Sequence, residues 1–157
     1  MAAATRFELV SHWHLDSPLE RVWAELSRPD DWPLWWRAVK RVELLAEGNA
    51  GGIGAVRRFT WATALPYTLS FDMTATRIEP MRLLEGRASG QLEGTGRWTL
   101  SGGDLGTDVR YDWIVEIRKP WQVALAPVLR PVFVWNHNTV LGWGYEDIKT
   151  RLMKTAH

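Results

Sequence analysis

Apolar and polar residues alternate from Phe7 to Asp16, with Phe7, Leu9, Ser11, Trp13 and Leu15 on one side and Glu8, Val10, His12, His14 and Asp16 on the other. A period of two marks a half-buried strand. Ser17-Pro18-Leu19-Glu20 follows, combining a capping Ser, a Pro at the first helical position and a Glu three residues after the cap. This predicts a helix from Pro18 to Ser27 opened by a capping box. Its Leu19, Val22, Trp23 and Leu26 share one face. Pro29-Asp30-Asp31 stops it, and a second short helix is expected near Trp32 to Arg37.

From residue 38 onward the pattern is strands and turns: Ala38 to Ala46, Ile53 to Thr63, Tyr67 to Ile78, Arg82 to Ala88, Gln91 to Leu100 and Asp108 to Lys119. Short turns such as Gly48-Asn49-Ala50-Gly51-Gly52 and Ser101-Gly102-Gly103-Asp104 imply an antiparallel meander. Gly90, Gly94 and Gly96 sit within or beside one strand, where absent side chains permit sharp coiling. Trp121 to Arg130 reads as a helical turn or two broken at Pro127, and Pro131 as the first position of a long helix to Met153. That helix is long enough to cross the sheet. The expected fold is α+β: a curved antiparallel sheet of about seven strands, two short helices after the first strand and a long C-terminal helix over the sheet. With no repeat or linker, residues 1–157 read as one domain.

Composition narrows the function classes. The 19 Lys and Arg against 18 Asp and Glu leave +1 and are scattered, which argues against the basic stripe of a nucleic-acid binder. The absence of Cys removes thiolate chemistry and Cys-based zinc sites, and suits a cytoplasmic location. No apolar signal-peptide core is seen, and Val123 to Trp135 is too short and too interrupted for an integral membrane segment. The 11 tryptophans call for a wide core or a lined pocket, since each ring buries a large area.

Several strings carry a resemblance. They are Pro18-Leu19-Glu20-Arg21-Val22-Trp23, Asp31-Trp32-Pro33-Leu34-Trp35-Trp36, Gly90 to Trp98, Gly106 to Trp113, and Leu125 to His137. Together with the element order, they resemble the helix-grip superfamily of START lipid-transfer domains, the birch-pollen allergen group, coenzyme Q-binding proteins and bacterial polyketide cyclase/aromatases. The last string is similar to bacterial polyketide-cyclase-like SRPBCC proteins in particular. The resemblance implies a START-like, Bet v 1-like fold with a hydrophobic internal cavity. It carries over no catalytic residue, because the strings are caps, turns and packing positions.

Strand parity places Phe59, Trp61, Tyr67, Leu69, Phe71, Met73, Leu92, Trp98, Tyr111, Trp113 and Val115 on inward faces. Each can be plain core; as a set they can line a pocket. Asn136 shares a helix face with Val132, Val140 and Trp143, and is favoured for the cavity over His137. A structural hydrogen bond is the competing reading for both polar residues. His137 is the weak candidate for acid/base chemistry. Arg57 alternates with Phe59 and Trp61 and can turn a guanidinium inward, suited to a carboxylate or phenolate. Glu85, Arg97, Asp112 and Glu116 read as the wet face, as do His12, His14 and Asp16, for which a metal site is disfavoured.

The expected ligand set is therefore Arg57, Phe59, Trp61, Tyr67, Phe71, Met73, Trp98, Tyr111, Trp113, Asn136, Val140 and Trp143, holding a small apolar or aromatic molecule with no metal and no cofactor. A polyketide cyclase/aromatase acting in the same cavity is the alternative, and a protein-interaction domain without a usable cavity, with Trp in an outer patch, is the third. A monomer or homodimer is expected.

Overall fold

Seven strands pair into one antiparallel sheet in the computed structural model, which describes residues 5–66, 68–90, 93–117 and 119–154, and burial alternates most clearly along the strand from Glu93 to Gly102. The strands are β1 (Thr5–Leu15), β2 (Val39–Ala46), β3 (Val56–Ala62), β4 (Thr68–Glu79), β5 (Leu83–Gly90), β6 (Glu93–Gly102) and β7 (Thr107–Ile117). Their spatial order is β1-β7-β6-β5-β4-β3-β2, a meander whose first strand lies beside its last. Between β1 and β2 come α1 (Leu19–Leu26) and a 3-10 helix (Pro29–Leu34); after β7 come α2 (Pro120–Ala124) and the long α3 (Ala126–Lys154). This is the helix-grip architecture that the sequence resembles.

Three local expectations are corrected. No side-chain cap opens α1; the Leu19 N–H donates instead to the Gly103 carbonyl at 3.0 Å, because the β6–β7 turn packs against the helix start. The second short helix begins at Pro29 and not at Trp32, so the proline that ends α1 also occupies the first turn of the 3-10 helix. The long helix starts at Ala126, with Pro131 inside it. A proline there forfeits one bond to the residue four back. Leu125 N–H donates to Trp121 O at 3.1 Å and Leu129 N–H to Leu125 O at 2.9 Å, so hydrogen bonds bridge the α2–α3 joint, where Leu125 (φ -94°, ψ 6°) leaves the helical conformation.

The buried residues of α3 are His137, Val140, Leu141, Gly144, Ile148 and Leu152. Gly144 permits a close approach: a Cβ there would lie 2.6 Å from Cε2 of Trp36. The Trp36 indole, 1% exposed, uses that room to donate to the Val140 carbonyl at 3.1 Å. Arg37 grips Asp147 through Nε and Nη2 and reaches Glu146 at 3.1 Å. Burial alone would raise the Asp147 carboxyl, but the hydrogen bonds and charge of Arg37 outweigh it and hold it below its usual range. Tyr145 donates to the His14 carbonyl at 2.8 Å, fastening the same part of α3 to β1.

Candidate functional site

Between the concave face of the sheet and α3 lies a cavity of about 480 Å³. Its wall can be built strand by strand. β3 contributes Arg57, Phe59 and Trp61, and β4 contributes Phe71 and Met73, each from alternate positions as parity requires. β6 and β7 add Trp98, Tyr111 and Trp113, with Gly96 paired opposite Trp113 and Trp98 opposite Tyr111.

The sheet curls strongly across this wall. In a flat sheet β4 and β7 would stand about 14 Å apart. The Phe71 and Trp113 ring centroids are 5.9 Å apart. Ala88, Gly94 and Gly96 occupy the intervening strands, so the larger rings meet above small residues. A Cβ on Gly96 would fall 2.6 Å from the Tyr111 hydroxyl, so this glycine is the seat of the tyrosine. Trp98 and Tyr111 lie 4.2 Å apart and Phe59 and Phe71 6.4 Å apart, making an aromatic floor.

α3 closes the cavity with Phe133, Asn136, His137 and Val140. The carbonyl oxygen of Asn136 accepts from the Ala64 N–H at 2.7 Å, which ties the helix to the β3–β4 loop. His137 Nε2 is 3.1 Å from Ser11 Oγ on β1, and its ring lies parallel to Tyr111 at 6.2 Å. Both polar residues thus make structural bonds while bordering the cavity. Desolvation lowers the His137 pKa to about 4, leaving a neutral imidazole at neutral pH. Burial likewise pushes the Tyr111 phenol above its usual value, so it stays protonated.

Arg57 faces inward, where Asp30 of the 3-10 helix holds it at 2.8 and 3.3 Å. The pair with Asp30 places it beside the 3-10 helix, whose Pro29 also lines the cavity. Glu85 turns the other way, bonded to Arg97 at 2.6 Å on the convex face. His14 is also outside, 2.8 Å from Asp108, whose hydrogen bond raises its pKa; among the described residues no group of three or more acidic or His side chains could hold a metal.

Trp143 is a correction. It does not border the cavity; it lies on the flank of α3, where the Arg37 guanidinium sits 5.9 Å from its ring. Tyr67 and Leu92 fall outside the described residues. Sequence reasoning left out Trp23, Trp32, Trp36 and Phe133, which also line the cavity. The Trp32–Trp36 spacing of four was the available signal: the Trp36 N–H donates to the Trp32 carbonyl at 2.8 Å just past the 3-10 helix, and the two rings meet at 5.4 Å.

A curved sheet gripping a long helix around an aromatic cavity defines the START/SRPBCC class of fold. The family model for polyketide cyclase / dehydrase and lipid transport proteins matches residues 6–142, and the chain belongs to that family. No curated protein matches the chain. Among solved structures it is similar to the Zhui aromatase/cyclase from Streptomyces sp. R1128, with 12% identity, TM-score 0.76, and coverage of 98% of this chain and 97% of that one. A START superfamily protein from Mycobacterium smegmatis is similar at 14% identity and TM-score 0.76, covering 94% and 97%. The norcoclaurine synthase of Thalictrum flavum shares 8% identity at TM-score 0.71, with 100% of each chain covered. At such identities the likeness is one of fold. No helix among the described residues is long and apolar enough to cross a membrane.

Proposed function

We propose that the protein binds a small, mainly apolar or aromatic molecule of lipid-, quinone- or polyketide-like character between sheet and α3. The observation that carries this reading is the aromatic cavity of about 480 Å³, a size within the range of small-molecule sites. Burial of the ligand's apolar body against Phe59, Phe71, Trp98 and Trp113 supplies the driving force. Arg57 selects an acidic end, a carboxylate or phenolate: the ligand replaces Asp30, whose side chain is 54% exposed and rehydrates at little cost.

Native mass spectrometry of freshly purified protein should reveal a co-purifying small molecule, and an apolar fluorescent probe should quench tryptophan emission and be displaced by that molecule. No bound species together with no quenching at saturating probe would overturn the reading. Arg57→Gln should weaken dodecanoate at least about tenfold while leaving dodecanol unchanged, the loss expected for one charge-assisted pair.

Transformation of the ligand is the second reading, favoured by the neutral imidazole of His137 on the cavity wall. A base of pKa about 4 is far from the value that serves proton transfer at neutral pH, which ranks binding first. Turnover of a polyketide-like chain, lost in His137→Ala with binding retained, would reverse that ranking.

A further inference from the structure

The helical segment that closes the cavity carries an uncovered apolar stripe on another side. Trp121, Leu125, Val128 and Trp135 are 57%, 48%, 65% and 50% exposed. With the half-buried Val132 they repeat at alternate intervals of four and three residues, and the hydrogen bonds to and from Leu125 link the two helices. Within α3, Val128, Val132 and Trp135 fall within a stripe roughly 60° wide, and Trp121 and Leu125 precede it in the chain. The β3–β4 loop, fastened to this end of α3 by Asn136, adds exposed Leu65 and Pro66.

The charge along this segment is one-sided. No Asp or Glu occurs between Glu116 and Glu146, while Arg118, Lys119 and Arg130 do. Among the described residues neither Lys119 nor Arg130 forms an ion pair; Arg130 leans over the Phe7 ring at 5.9 Å.

We propose that α2 and the first turns of α3 dock the protein on the surface of an anionic phospholipid bilayer. The stripe lies in the interfacial plane with Trp121 and Trp135 at headgroup depth, where amphipathic indoles are favoured. Lys119, beside the start of the stripe, meets the negative surface potential, and Arg130, on the side of α3 away from the stripe, adds to it at longer range. A second copy of the chain seated on the same stripe would offer Lys119 no carboxylate from this segment, whereas an anionic surface offers it negative charge. The docking stands independently of what the cavity holds.

The test is flotation of the full chain with phosphatidylcholine vesicles, with and without phosphatidylglycerol. Expected are co-flotation with the anionic vesicles, a blue shift of tryptophan emission, and weakening at high salt. Val128→Asp should reduce partitioning at least about tenfold, since it places a charge in the centre of the stripe. Leu105→Asp, in the β6–β7 turn and 93% exposed, should leave it unchanged. Near-UV circular dichroism and apolar-probe binding verify that each variant is folded. Absence of wild-type flotation, or equal flotation of Val128→Asp, overturns the proposal. So does sedimentation showing a vesicle-independent dimer that Val128→Asp converts to monomer, which would assign the stripe to a second copy.

Discussion

The two halves of α3 differ sharply although they form one helix. From His137 to Leu152 the helix buries a residue every three or four positions, admits the Trp36 indole at Gly144 and is gripped by Arg37 and Tyr145. From Ala126 to Asn136 it has no buried residue, contains Pro131, and touches the rest chiefly through cavity-lining Phe133 and the Asn136 bond. Anchoring and enclosure are thus divided between the halves. A helix fixed at one end can hold a cavity shut at the other without filling it, and local opening there does not require unfolding of the core.

The largest expected effect strikes the anchored half. Trp36→Ala removes the ring that Gly144 accommodates and should cost about 3–5 kcal/mol in urea denaturation. Ile148→Ala, at a fully buried position, should cost about 2–5 kcal/mol by the same measurement.

His137 stands at the boundary between the halves and reports how dry that boundary is. The unfolded imidazole, at its ordinary 6.5, takes up a proton that the folded one, near 4, refuses. Stability should therefore decline as pH falls from 6.5 to about 4, by roughly 3 kcal/mol, and this component should level off below. The difference between wild type and His137→Gln across a pH series isolates it; parallel curves would mean that water reaches the imidazole.

Arg37→Ala should cost about 1 kcal/mol or less, because the guanidinium is half exposed. Smallest is Leu125→Ala in the loosely held region, within about 0.5 kcal/mol. Amide hydrogen exchange should show the same gradient, with residues before Asn136 exchanging faster than those after Val140. Uniform protection along α3 would abolish the distinction.

The strand faces were legible because period two is written in each strand's own residues. Phe59, Trp61, Leu69, Phe71, Met73, Trp98, Tyr111, Trp113 and Val115 all border the cavity as parity predicts, and Arg57 joins them. What depended on other elements was not legible. The cap of α1 comes from Gly103, more than eighty residues away. The start of α3 was hidden because prolines that usually begin helices are tolerated here within the first turns. Trp143 lies at helical spacing from Asn136 and Val140, yet Arg37 on the β2 side determines what covers its ring. Whether inward aromatics fill the interior or border a space is likewise set by how far the sheet curls, a property of Gly96 and its neighbours and not of the rings.

The placement of β1 beside β7 also governs how the chain can fold. Phe7 pairs with Val115 and Trp13 with Val109, so the first strand pairs across most of the length of the chain. Such a sequence separation raises the contact order and slows folding. Until the two strands pair, the inner face of β1 has nothing to pack against and the β7 edge stays open. The protein should therefore be most prone to misassociation in the interval before β1 docks, when the β7 edge can be matched by a strand from another molecule.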